Sequence, residues 1–301
     1  MATASRGSRA PRLARWAVVA VFLVRPPPPA STLAHYRFDH PPAWHVELSR
    51  ELDEISGLAF SPDGRLFAHG DERGTIWQLD PPTGRILKRF ALAFGPAMQP
   101  YMGKRPKPDV VTGDFEDIQI VGERFFLLSS NGVLVEFREG RDGERVPYRA
   151  FDTGLSRSCE LEGLSYDAST HSLLLLCKHA YPKAWRRHIV VLGWSIDTRR
   201  LDPEPRLLVP ESLVARVTGV GEFHGSAIAL APESGALVLV AGPQRRIIEV
   251  SPSGELVAGK ALKARLHRQP EGLAFAPDRT MLISDEASGG HATLTAYAYH
   301  P

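Results

Sequence analysis

From residue 45 onward, short apolar runs of strand character alternate with Asp-Gly, Pro-Asp and Ser-Gly turns, and no amphipathic stretch of helical length competes with them. One unit recurs along this pattern. It begins with Ser or Glu, continues with a small or acidic residue and an aliphatic, and adds two more residues of strand character. The copies are Ser56-Gly57-Leu58-Ala59-Phe60, Glu116-Asp117-Ile118-Gln119-Ile120, Glu162-Gly163-Leu164-Ser165-Tyr166, Ser226-Ala227-Ile228-Ala229-Leu230 and Glu271-Gly272-Leu273-Ala274-Phe275. Each precedes a second apolar run, at residues 66–68, 125–129, 173–177, 237–241 and 281–284. Third runs stand at 75–79, 133–137, 189–194 and 246–250. The first residues of the units are 60, 46, 64 and 45 positions apart. A period near 45 with about four strands per repeat predicts the blades of a β-propeller. The two long spacings hold insertions, one at residues 92–112 and the other at 179–188 and 199–222.

Strand counting also predicts how the ring closes. The chain after Glu271 holds three strands, and residues 35–50 supply a fourth, with Trp44-His45-Val46-Glu47-Leu48 alternating at period two. Pairing that strand into the last blade removes the open edges of a linear array. The expectation is an all-β, five-bladed β-propeller formed by residues 35–301 as one domain. A six-bladed ring is the alternative. It needs a further copy between Tyr181 and Glu222, where no inner-strand pattern is found.

In a propeller the first strand of each blade lines the central channel, so Ser56, Glu116, Glu162, Ser226 and Glu271 form a ring around the axis. Three carboxylates facing one another repel strongly unless they are protonated, paired with a cation of the protein, or bound to a metal. No Lys or Arg lies within the inner-strand unit, which weakens the second response. Oxygen donors without imidazole or thiolate match a hard cation, and Ca²⁺ with its six to eight oxygens suits five side chains completed by carbonyls or waters. The expected cofactor is Ca²⁺ at these five residues. The plainer alternative is that the glutamates hold water and backbone amides. Gly57, Gly163 and Gly272 have a reason of their own, since inner strands crowd toward the axis.

Two resemblances follow from these residues. The run Glu54-Ile55-Ser56-Gly57-Leu58-Ala59-Phe60-Ser61-Pro62-Asp63-Gly64, with Leu161-Glu162-Gly163-Leu164 and Pro270-Glu271-Gly272-Leu273, resembles the SdiA-regulated (YjiK-like) family of exported bacterial propellers. The related phytase-esterase-like propellers share such fragments. The ring order Ser, Glu, Glu, Ser, Glu is similar to the central Ca²⁺ site of the five-bladed calcium-activated nucleotidases (apyrases), which implies Ca²⁺ at the same five positions. The fourth repeat departs from that pattern at Gly225-Ser226-Ala227-Ile228, and nucleotide hydrolysis is not carried over.

Loops between second and third strands open on the face where the chain enters each first strand. Counting along the blades places Asp71, Glu72, Lys178, His179, Arg245, Asp285 and Glu286 around one mouth, joined by His267 and Arg268 from the segment before the fifth unit. These are the expected ligand-binding residues, with Lys178, Arg245 and Arg268 suited to a phosphate or carboxylate. Solvated local ion pairs are the alternative reading of the same rim. His224 is the candidate general acid or base. No GxSxG elbow, HExxH, P-loop or dinucleotide fingerprint is present. Two functions compete: a Ca²⁺-stapled propeller binding a small anionic ligand or an envelope partner, and a Ca²⁺-dependent phosphoester or ester hydrolase.

The N-terminus reads as an address. Four Arg precede the apolar run at residues 16–24, then come Arg25, four prolines and small residues, as in a secretory signal peptide over residues 1–34 cut after Ala34. The apolar run is too short to span a bilayer, and no other segment is apolar enough. Export to the periplasm or beyond is expected, as a monomer with no membrane span once the leader is removed. The pI near 8.6 reflects that leader. The five Arg of residues 1–34 stand among no acids, and without them 31 of the 36 basic residues face 34 acidic ones. That balance gives no general drive toward nucleic acid. Cys159 and Cys177 are the only thiols. They fall near one end of a predicted hairpin, and a disulfide and two buried thiols are both open.

Overall fold

The computed structural model describes residues 31–94 and 111–301. Most of the leader-like segment, and most of the insertion predicted at 92–112, lie outside the described residues. Among the described residues no helix is long and apolar enough to cross a membrane.

Five sheets, antiparallel except for one short parallel edge pairing, are arranged around one axis as a five-bladed β-propeller. The chain opens with β1 (Trp44–Glu47). Blade one then holds β2 (Ile55–Phe60), β3 (Leu66–Gly70), β4 (Thr75–Asp80) and β5 (Arg85–Leu92). Blade two runs through β6 (Phe115–Val121), β7 (Arg124–Ser129) and β8 (Val133–Arg138). It sends β9 (Arg145–Val146) across to blade one before its own outer strand, β10 (Tyr148–Asp152). Blade three contains β11 (Cys159–Asp167), β12 (Ser172–Ala180) and β13 (His188–Ser195). The short strands β14 (Arg200–Leu201) and β15 (Leu207–Pro210) both pair with β13. Blade four is β16 (Ala227–Leu230), β17 (Leu237–Ala241), β18 (Arg246–Val250) and β19 (Leu256–Ala261). Blade five is β20 (Pro270–Phe275), β21 (Met281–Asp285) and β22 (Thr293–Tyr297), completed by β1.

The closure follows the sequence reading: Trp44 to Glu47 pair antiparallel with Ala296 to Thr293. The inner strands β2, β6, β11, β16 and β20 contact one another in ring order. Middle strands such as β17 are buried along their whole length, because each sheet is covered by a neighbour on both faces. The apolar residues accordingly form five clusters, one between each pair of adjacent blades. Between blades one and two it is aromatic, with Phe67 and Phe125 ring centres 5.0 Å apart at 90°.

Three features depart from the sequence pattern. The 199–222 insertion contains a helix, α1 (Glu211–Thr218), ended by Gly219 in the left-handed region at φ 73°. β9 joins β5 in parallel, through Ala91–Arg145 and Leu92–Val146, so blade two braces the outer edge of blade one. Residues 31–34, assigned from sequence to the leader, pack into the domain, and Leu33 is fully buried. The cysteine question is resolved: Cys159 and Cys177 form a disulfide with Cα atoms 5.6 Å apart. It spans the register shift between β11 and β12 that set the two residues out of direct pairing.

Candidate functional site

The ring position owes its inward aim to a recurring backbone irregularity. Pairing between first and second strands skips Ser56 in β2, Glu116 in β6, Glu162 in β11 and Glu271 in β20. Each is the extra residue of a β-bulge, a device that bends a strand and redirects one side chain. Ser226 differs. It stands just before β16 with its N–H bonded to the Val240 carbonyl. Its hydroxyl donates to the Pro270 carbonyl (2.7 Å) and accepts from Gly242 N–H (3.1 Å). Ser226 therefore ties blade four to blade five.

Glu116, Glu162 and Glu271 do meet electrostatically. Burial, and next the Glu162 charge, raise the Glu116 carboxyl far above the ordinary range. Burial likewise raises Glu162, against the lowering by the bond and charge of Lys178. Glu271 is pushed up to about 8 by burial and then by the Glu162 charge. Lys178 answers part of this charge. Its ammonium lies 2.6 Å from Glu162 Oε1 and 4.0 Å from Glu160 Oε1. Burial alone would lower the lysine, yet the Glu162 bond and charge outweigh it and its proton is held more tightly. The sequence reading weakened pairing with a protein cation because inner strands lack one. The structure corrects this, since the lysine comes from the far end of β12, opposite the bulge of β11. Lys178 is thus an ion-pair partner of the ring. Glu116 and Glu271 have no basic partner in an ion pair among the described residues.

Every side-chain donor in the ring is oxygen, which suits Ca²⁺ and disfavours zinc. Among the described residues no three His, Cys, Asp or Glu side chains close to metal-ligand geometry, and Lys178 occupies one face of Glu162.

A second buried polar layer involves Gly57. A Cβ on Gly57 would lie 2.5 Å from Asp117 Oδ1 and 2.6 Å from His69 Nε2. Asp117 accepts from Ile118 N–H (2.8 Å) and from Leu164 N–H (2.6 Å), linking the inner strands of blades two and three. Complete burial drives its carboxyl well above the usual range. His69 is fully buried, and its Nε2 has no partner among the described residues. Sequence reasoning missed both residues. Asp117 was visible as the acid after Glu116, whereas nothing in the pattern marked His69.

On blades one and five, Glu286 accepts from the Gln269 side-chain amide, and burial and then Glu54 raise its carboxyl to about 7. Asp71 is raised to about 6, first by burial and then by Glu54. Glu72 is exposed. On blades three and four, His179 and His224 stack edge to face at 4.6 Å, and His224 is positioned by two contacts to Gln244. Arg245 on blade four is half-buried, and Arg268, at the entry to blade five, is exposed. Two expected rim residues are not there. His267 and Asp285 are buried, joined at 2.8 Å, and the other ring nitrogen of His267 meets the Tyr297 hydroxyl at 2.7 Å. The turn after Lys263, closed by bonds from Leu266 and His267 N–H to its carbonyl, carries His267 inward. It braces the last blade and is out of a ligand's reach.

No protein-family profile matches the chain, and no curated protein does. The resemblance to SdiA-regulated propellers rests on the motif fragments alone. The fold is similar to that of solved propellers. Glutaminyl cyclase of Myxococcus xanthus is 14% identical with a TM-score of 0.57, over 86% of this chain and 95% of that one. The PQQ-bound aldose sugar dehydrogenase of Streptomyces coelicolor is 14% identical with a TM-score of 0.50, over 86% and 99%. Likeness at this level establishes architecture.

Proposed function

We propose that the protein is an exported β-propeller that binds Ca²⁺ at its central channel and receives a small anionic ligand, or an anionic group of an envelope partner, at the mouth. One observation carries the reading. Among the described residues Glu116, Glu162 and Glu271 have one cationic partner, Lys178, and a divalent ion would replace the protons that Glu116 and Glu271 otherwise retain. Glu116, Glu162 and Glu271 would hold it, with Ser56 beside them, while Ser226 keeps its role between blades four and five. The bound ion would act as a hard Lewis acid toward a ligand oxygen. Lys178, His179, Arg245 and Arg268 would orient the ligand's charge, and the acids of blades one and five would exclude a second anion. Export is supported by the leader-like N-terminus and by the disulfide, which suits an oxidising compartment.

Calorimetric titration of chelator-stripped protein with CaCl₂ tests this. One ion per chain and a raised melting temperature are expected, whereas no heat and an unchanged melt would overturn it. The stacked His179–His224 pair favours a second reading, Ca²⁺-dependent hydrolysis with His224 as general base. Phosphomonoesters, phosphodiesters, nucleotides and lactones assayed with and without chelator decide it, and rates at the uncatalysed level under both conditions would reject it.

A further inference from the structure

Glu249 lies on β18 with 1% of its surface exposed, facing Val238 and Ala258 on the neighbouring strands. Neither neighbour offers its carboxylate a side-chain donor, and among the described residues no Lys, Arg or His forms an ion pair with it. Its hydrogen bonds come instead from the N-terminal arm. Ser31 Oγ donates to Oε2 (2.6 Å), Thr32 N–H to Oε1 (2.8 Å) and Leu33 N–H to Oε2 (2.9 Å). The same arm buries Leu33, Tyr36 and Phe38 in the apolar cluster between blades four and five. It is fastened further by the Tyr36 hydroxyl to the Arg279 carbonyl (2.6 Å) and by His300 N–H to the His35 carbonyl (2.9 Å). A cut after Ala34, which the small residues Thr32 and Ala34 suggest, would remove all three donors together with Leu33. It would strip the carboxylate of these three hydrogen bonds and uncover the apolar surface that Leu33 covers between blades four and five.

We infer that residues from Ser31 onward belong to the mature protein, so that any leader is removed at the Ala30–Ser31 bond or upstream of it, and that Glu249 is the socket that holds the retained arm. A cut at Ala30–Ser31 would also free an α-ammonium on the residue whose hydroxyl already donates to Glu249. The new terminus would then bring a positive charge to a carboxylate that otherwise has none beside it. Processing and folding are linked in this arrangement, because the segment next to the cut is part of the core between two blades.

The full chain expressed in a secreting bacterium, with the exported product examined by N-terminal sequencing and intact mass, tests the first half. A folded product beginning at Ser31 or earlier is expected, and a folded product beginning at His35 or later would overturn the inference. Melting of full-chain variants tests the socket. Glu249→Ala and Leu33→Ala should each lower the melting temperature by about 5–10 °C, Glu249→Gln by less, and Ser31→Ala by least. The Glu249→Ala/Leu33→Ala double variant should lose little more than the worse single variant, because either change undocks the same arm. Additive losses, or a Ser31→Ala/Glu249→Gln pair that melts like the unaltered protein, would reject the socket.

Discussion

Replacing Lys178 by Met separates its two roles in the channel, stabilising the metal-free ring and competing with a metal. The ammonium sits 2.6 Å from a carboxylate whose side chain is 6% exposed, while the lysine side chain is 28% exposed. Removing one partner of a buried pair costs about 3–5 kcal/mol. Partial access of water to Lys178, and the capacity of Glu162 to take up a proton, reduce this to about 2–3 kcal/mol. The melting temperature in chelator should therefore fall by about 5–10 °C. Calcium should reverse the effect. An ion sharing Glu162 with Lys178 is repelled by several kcal/mol at about 5 Å and an effective dielectric of 20, so Lys178→Met should tighten the Ca²⁺ dissociation constant at least about tenfold. Calorimetric titration and scanning calorimetry, each with and without CaCl₂, read both quantities. Weaker or unchanged calcium affinity, or an unaltered melt in chelator, would refute the reasoning.

Other expectations follow from the same geometry. Glu271 and Glu286 are raised to about 8 and about 7 from 4.5, and Asp71 to about 6 from 3.8. The folded state holds protons that the unfolded chain gives up, so this stability is full below about pH 4 and is lost as pH rises through 8. Metal-free protein should melt lower at pH 8 than at pH 5, with calcium narrowing the gap; a melt that rises over that range in chelator would contradict it. Gly57→Ala drives a methyl into Asp117 and His69 and should cost about 3 kcal/mol or more, measured by urea unfolding. Gly221→Ala, with nothing within 4 Å of the added Cβ, should stay within about 0.5 kcal/mol. Reduction of Cys159–Cys177, which closes a separation of 18 residues, should remove about 3 kcal/mol, seen as a lower urea midpoint in dithiothreitol.

The blades were legible because each inner strand repeats one short unit and each middle strand carries an apolar run, a pattern that burial on both faces imposes. The closing strand was legible from its period-two alternation. The bulges were not, because a one-residue offset changes which residue pairs without changing composition. Two neighbouring offsets leave Lys178 and Glu162 both outside the β11–β12 ladder, where they pair with each other, and counting along β12 places Lys178 only at the rim. His267 and Asp285 were misplaced for a related reason. Position along a strand says which end a residue lies near, and the turn after Lys263 decides whether it points to water or inward. β9 and α1 escaped notice because two residues of pairing and eight of helix are too short to impose a period of their own.

The shared last blade has a further consequence for how the molecule is made. β1 emerges first and β22 last, yet they are partners, so the earliest segment must wait without its mate until the rest of the chain has appeared. Blades two to four draw all their strands from consecutive chain and blade one waits only for β9, while the fifth is held open until β1 and β22 are both present. A chain broken off early therefore leaves an unsealed ring with bare sheet edges, the form that quality-control proteases and aggregation both seize. Sealing by β1 and β22 makes the presence of both strands a condition of stability, and the ring itself becomes a check on its own closure.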